Sequence, residues 1–230
     1  MFEEQPQSIQ QKVKSMADNS LEQQDPSGWF EPLYADAAGD TAQVPWAKNQ
    51  AHPYLQQWLA EYPPQTQEKS ALVIACGLGD DAELLASIGY RVTAFDISPT
   101  AIAWCKQRFP DSQVDYQVAD LFSLNSNWQG KFDFVFECRT IQALPLDVRS
   151  QVIGEIAPLV APEGTLIVVT RHREPNTIPE GPPWALSSKE LGKFGELGLS
   201  EVRCDRFIEG EQHKVAQLRL EYHRLETGDR

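Results

Sequence analysis

The residues best placed to do chemistry lie in ALVIACGLGDDAELL, residues 71 to 85. An apolar run enters the turn Gly77-Leu78-Gly79, and two carboxylates, Asp80 and Asp81, follow at once. Glycines between a strand and a helix let a ligand approach the backbone closely, and the G-x-G-x-x-A spacing runs on to Ala82. That spacing alone is a weak dinucleotide signal. A pyrophosphate seeks the free N–H groups and positive dipole end of the following helix, and here it would meet two negative charges. A ligand with a cationic end meets no such conflict.

Two more carboxylates follow in order. Asp96 closes RVTAFD. At the end of a second strand it can accept both hydroxyls of a ribose, or it starts the turn before Ser98-Pro99. Asp120, in VADLF, can accept from an adenine amino group or serve as a turn residue. A nucleoside carrying positive charge satisfies all of these groups. S-adenosylmethionine, with its sulfonium and ammonium, is such a ligand.

These residues need strand ends to hold them, and the chain supplies alternating elements. ALVIAC, RVTAFD, VDYQVAD, FDFVFEC and GTLIVVT read as five strands. Between them lie helices over 80–88, from Ser98-Pro99 onward and over about 146–159. Asp80 is a possible N-cap with Glu83 three residues on, Gly89 is a stop, and Pro99 occupies a first helical position. Ser187 with Glu190 is a capping box, and Gly198 ends that helix. EVRCDRFIE and HKVAQLRLEYHR alternate with period two about Gly210 and read as a hairpin. The expected fold is α/β: a Rossmann-like open sheet of seven strands, mostly parallel, with an antiparallel C-terminal hairpin and helices on both faces.

Net charge is −13, which opposes nucleic acid and anionic membrane surfaces as partners. No apolar run has the length of a membrane span, and the polar start shows no signal peptide. Cys76, Cys105, Cys138 and Cys204 are far apart, so neither a disulfide framework nor structural zinc is expected, and a cytoplasmic location fits. Cys76 and Cys138 read as small fillers rather than nucleophiles. No metal site is expected. Residues 1–25 read as a polar, frayed or weakly helical arm and 26–230 as a single domain. Within it, 26–65 form an aromatic segment and helix, 70–170 the cofactor-binding core, and 171–230 a substrate-side loop, helix and hairpin.

VIACGLGDDAELLASIGYRVTAFDISPTAIAWC, then VADLF, then FDFVFECRTIQALP resembles the class I S-adenosylmethionine-dependent methyltransferases over about residues 70–170. Two positions depart from that pattern. Val73 replaces the usual acid of the first strand, and Ala75 replaces the first glycine of the loop. The lost acid leaves the methionine ammonium to Asp80, Asp81 or backbone carbonyls. GWFEPLYADAAGDTAQVPWAKNQAHPYLQQWL is similar to the N-terminal lid of the thiopurine and thiol/halide methyltransferase-like branch. The resemblance implies cofactor contacts from Trp29, Trp46, Ala75, Gly77, Gly79, Asp81, Asp96, Ile97, Asp120, Leu121 and Glu137. The two tryptophans also read as ordinary core.

It further implies direct in-line transfer of a methyl group to a small-molecule acceptor, with S-adenosylhomocysteine as product. The acceptor side should lie over the fourth and fifth strands and under the lid. Tyr34, Trp46, Arg139, Gln142, Arg171 and Trp184 are the expected substrate contacts, and Glu137, Arg139 and His172 the catalytic candidates. Glu137 and Arg139 also read as a pair at a strand end, and Arg171-His172-Arg173 as a solvated loop. A basic cluster beside the cleft of an acidic protein suggests an acid-bearing substrate. A soft nucleophile such as a thiol suits the branch. A nicotinamide-dependent oxidoreductase and a non-catalytic S-adenosylmethionine-binding protein remain the alternatives, and the oligomeric state is expected to be a monomer or weak dimer.

Overall fold

A run of strand-formers buried on both sides dictates the centre of the molecule. The computed structural model describes residues 7–210 and 214–225. Its seven-stranded sheet has the order β3-β2-β1-β4-β5-β7-β6. The strands are β1 (Ser70–Ile74), β2 (Arg91–Asp96), β3 (Asp115–Val118), β4 (Phe132–Cys138), β5 (Val160–Arg171), β6 (Leu199–Glu209) and β7 (Val215–Arg224). The first five run parallel, and β7 and β6 add antiparallel pairings at one edge. Strand order reverses between β1 and β4. Ligands of such sheets bind at the carboxyl ends beside that reversal.

Each face is covered by helices whose apolar stripes meet it. On one face, α3 (Pro53–Glu61), α4 (Asp80–Ser87) and α5 (Pro99–Arg108) bury Leu55, Trp58, Leu85 and Ile102 against Val73, Phe134 and Ile167. On the other, α6 (Arg149–Ile156) and the short α7 (Ser188–Leu191) and α8 (Lys193–Glu196) bury Ile153, Leu191 and Phe194 against Leu72, Val135 and Leu166. No helix among the described residues is long and apolar enough to cross a membrane.

Several local expectations change. Within the polar N-terminal arm the helical alternative holds, and residues 1–6 lie outside the described residues. Residues Gln7–Glu22 form α1, and Val13 and Ala17 pack against Trp29, Leu33 and Trp184. Asp80 is not the cap of α4. Gly79 holds that position at φ +88, with no side-chain bond, and Asp80 is the first helical residue. The third strand ends at Val118, because Asp120 turns the chain into a 3-10 turn. The Ser187–Glu190 capping box forms, but the helix it starts breaks at Gly192. The fifth strand starts at Val160, earlier than its apolar run, after a 3-10 turn holding Pro158. The C-terminal hairpin forms, while residues 211–213 of its turn lie outside the described residues.

Candidate functional site

The β1–α4 turn is held open by backbone geometry. Ala75, Gly77 and Gly79 have φ of +46, +55 and +88, a region that suits glycine and strains alanine. A Cβ on Gly79 would lie 2.5 Å from the Tyr116 hydroxyl, so packing as well as conformation requires glycine there. A Cβ on Gly77 would lie 3.2 Å from the Tyr34 hydroxyl. Asp96, 5% exposed, anchors the turn from below. It accepts from Gly77 N–H at 3.0 Å through one oxygen and from Ser98 N–H at 2.9 Å through the other. Burial pushes its pKa up to about 6, against the pull of those two bonds. Ile97 follows it, half-buried.

The two aspartates at the mouth part company. Asp80 forms a two-pronged pair with Arg108 at 2.9 and 2.8 Å, so its charge is compensated within the protein. Asp81 accepts from His52 N–H at 2.6 Å, and burial pushes its pKa up to about 7. Asp81 rather than Asp80 is therefore the carboxylate that Arg108 leaves uncompensated. Asp120 accepts from Phe122 N–H at 2.9 Å through Oδ1, which is the turn role. Leu121 is buried with Phe95 and Trp128.

Aromatic residues roof this turn. α2 (Phe30–Ala37) follows Trp29, which is 3% exposed and stacks on Phe30 at 4.1 Å between ring centroids. Trp46 is more open, at 37%, and donates from Nε1 to the Tyr34 hydroxyl at 2.7 Å. Burial and the nearby Asp96 hold the Tyr34 phenol above its ordinary range. The Tyr34 hydroxyl thus lies beside the β1–α4 turn. Trp184 packs with Trp29 and α1, so it is core under the N-terminal helix rather than an open wall. Glu31 was missed by sequence reasoning. Its carboxylate accepts from Ser98 Oγ at 2.5 Å, Thr100 Oγ1 at 2.6 Å and Thr100 N–H at 3.1 Å, tying α2 to the start of α5.

At the ends of β4 and β5 Glu137 and Arg139, which alternatively read as a pair, bond to other partners among the described residues. Glu137 is fully buried, and its Oε1 accepts from Thr140 N–H at 2.6 Å and Ile141 N–H at 3.1 Å. Its Oε2 has no partner among the described residues, and burial pushes the pKa up to about 7. Arg139, at φ +65, reaches Glu209 at 3.2 Å and Gln217 at 3.5 Å instead. Gln142 is buried, and its Oε1 accepts from Arg171 N–H at 2.5 Å, stapling the turn after β4 to the end of β5. His172 stands apart. It meets Ser188 Oγ at 3.0 Å, its charged neighbours are Arg206, Glu174 and Arg173, and burial lowers its pKa.

The turn, the Asp96 carboxylate below it and the partnerless Glu137 oxygen fit a nucleoside with a positively charged tail. The family sequence model described as thiopurine S-methyltransferase (TPMT) matches residues 37–219. A ubiquinone biosynthesis O-methyltransferase of Xanthomonas campestris pv. campestris (strain B100) is 32% identical over 106 residues, 45% of this chain and 44% of that protein. The chain thus matches less than half the length of such curated relatives. A probable thiopurine S-methyltransferase of Yarrowia lipolytica is 24% identical over 66% of this chain and 78% of its own. Magnesium protoporphyrin IX methyltransferase from Synechocystis, solved with bound S-adenosylmethionine, superposes with a TM-score of 0.66 at 18% identity. That alignment covers 87% of this chain and 97% of the other.

Proposed function

This chain belongs to the thiopurine S-methyltransferase family, and we propose that it methylates a small molecule, a thiol or other soft nucleophile, by direct in-line transfer from S-adenosylmethionine. The observation that carries this reading is the Asp96 carboxylate, buried at the end of β2 and bonded to the N–H of Gly77. When bound, S-adenosylmethionine supplies the methyl group on a sulfonium whose sulfur is the leaving group. Each oxygen of Asp96 already accepts one backbone N–H and retains capacity for a ribose hydroxyl. Ala75, Gly77, Gly79, Ile97 and Leu121 wall the nucleoside, with Asp120 at its far edge. Asp81 and Glu137 answer the ammonium that Val73 leaves without its usual acid. Trp29, Tyr34 and Trp46 exclude water from above.

The acceptor lies over β4 and β5, where Arg139, Gln142 and Arg171 converge. A thiolate needs alignment more than a base. Glu137, with a pKa pushed up to about 7, is the group suited to take a proton from a harder, hydroxyl-bearing acceptor. His172 meets Ser188 Oγ and is assigned no role in this reading.

Calorimetric titration with S-adenosylhomocysteine and with NAD tests the cofactor. Binding of the first alone is the expected result, and binding of NAD alone would replace this reading with an oxidoreductase. Turnover of methyl-labelled cofactor on paired thiols and phenols then separates sulfur from oxygen acceptors. Binding without any turnover would make the protein a cofactor-binding module.

A further inference from the structure

Arginines sheltered from solvent in this protein have partners: Arg224 donates to the carbonyls of Val160, Leu197 and Ala157, and others meet a carboxylate. Arg108 pairs with Asp80, Arg139 with Glu209, Arg149 and Arg173 with Glu190, and Arg219 with Asp205. Arg171 departs from the pattern. It ends β5 half-buried, its Nε is shut off from solvent without a partner, and among the described residues its guanidinium makes no hydrogen bond or ion pair. A sheltered cation in this state costs folding free energy unless an anion joins it. The neighbouring Arg139 adds repulsion, only partly offset by Glu209, and burial comes first among the effects that lower the Arg171 pKa.

The backbone beneath this side chain is fixed. Arg171 N–H donates to the buried Gln142, and Arg171 pairs with Gln217 across β5 and β7. Strand alternation puts Arg171 on the face of Ile167 and Val169, the face that α3 covers. The Tyr54 hydroxyl on α3 donates to Glu209 at 2.5 Å, so Glu209 is shared between Tyr54 and Arg139. A planar fork whose donors meet no described residue matches a carboxylate. β5 lies two strands, roughly 10 Å, from β1. That distance separates Arg171 from the turn at Gly77 and places it on the acceptor side of the cleft.

We infer that Arg171 recognises a carboxylate on the methyl acceptor, which makes it a specificity-determining residue of this enzyme. The inference rests on the methyltransferase reading above and adds the chemical class of the acceptor: a small thiol or comparable nucleophile that also carries an acid. In a chain of net charge −13 an anionic acceptor is repelled at long range, and a local unpaired guanidinium offsets that repulsion where the acceptor must stop.

The test uses the full chain saturated with S-adenosylhomocysteine, titrated with 3-mercaptopropionate and with 3-mercaptopropanamide, and repeated with 2-mercaptobenzoate and 2-mercaptobenzamide. In the native protein the acid of at least one pair should bind about tenfold to a hundredfold more tightly than its amide. Arg171→Gln should abolish that preference, and Arg171→Lys should restore part of it, while S-adenosylhomocysteine affinity stays within about twofold. No acid preference in either pair, with the cofactor product still bound, overturns the inference and leaves the methyltransferase reading standing. An acid preference that survives in Arg171→Gln assigns it to another residue and overturns the inference too. Loss of S-adenosylhomocysteine affinity in Arg171→Gln assigns the guanidinium to the cofactor's own carboxylate. Failure of the native protein to bind S-adenosylhomocysteine removes both readings together.

Discussion

At the scale of single residues, Asp96 joins structure to ligand binding through its proton. Its pKa is pushed up to about 6 because burial outweighs the bonds from Ser98 and Gly77. Ribose hydroxyls donate to the ionised carboxylate better than to the acid, so binding favours loss of the proton. S-adenosylhomocysteine affinity should therefore rise between pH 5 and pH 7, with net proton release near pH 6. Calorimetry in buffers of different ionisation enthalpy reads that release directly. Asp96→Asn should remove the part of the pH dependence centred near pH 6, leaving that of Asp81 and Glu137 near pH 7, and should weaken binding by about 1–3 kcal/mol. A variant that keeps the native pH profile would take Asp96 out of the ribose site. The position of Asp96 is legible from the sequence, since an acid closing a β-branched and aromatic run marks a strand end. The fate of Asp80 is not. Arg108 can be read as a cation at the end of a helix, but nothing local says that it crosses to the preceding helix.

At the scale of elements, the packing of α2 decides how the cleft is roofed. Glu31 receives two hydroxyls and one N–H at the start of α5, where the helix dipole also favours a carboxylate. Burial alone would raise its pKa, yet the bonds from Ser98 and Thr100 outweigh it and the net shift is downward. Glu31→Gln should weaken this latch by about 1–2 kcal/mol, because a charged acceptor becomes a neutral one. Hydrogen exchange should then speed up across residues 29–46 while β1 and β4 keep their protection. Uniform exchange throughout the chain, indistinguishable from native, would show that the aromatic packing alone holds the roof. Helix and strand order were readable here because apolar periodicity is local. The docking of α2 on α5, and of α1 on Trp29 and Trp184, depends on contacts distant in sequence. A polar helix that buries Val13, Ala17 and Ser20, with Met16 and Leu21 partly covered, leaves too faint an apolar stripe to distinguish from a frayed arm.

At the scale of the whole molecule, alternation of strands and helices made the sheet legible, and the reversal between β1 and β4 follows from that topology. What alternation cannot convey is that the same sheet ends collect three carboxylates with raised pKa values: Asp81 at about 7, Asp96 at about 6 and Glu137 at about 7. A folded pKa above the unfolded one means that the folded state holds the proton more tightly. Stability from such groups is full below the ordinary carboxylate range and is lost as pH rises through about 6 to 7. Glu31, Asp133, Glu190 and Glu221 are shifted downward, so their contribution is lost instead as pH falls below the usual range. The ligand-free protein should therefore be most stable in mild acid, and its melting temperature should fall between pH 5.5 and pH 8. Glu137 is fully buried, and its shift alone corresponds to a loss of about 2 kcal/mol across that window. Glu137→Gln removes the charge and keeps the acceptor oxygen that holds Thr140 and Ile141, so it should raise the melting temperature at pH 8 and flatten the decline. S-adenosylmethionine, whose ammonium and sulfonium favour the ionised carboxylates, should stabilise the native protein more at pH 8 than at pH 5.5, and Glu137→Gln should shrink that difference. A native melting temperature that stays level from pH 5.5 to pH 8, or a Glu137→Gln profile as steep as the native one, would show that these carboxylates are not the charges the cleft holds ready for its cofactor.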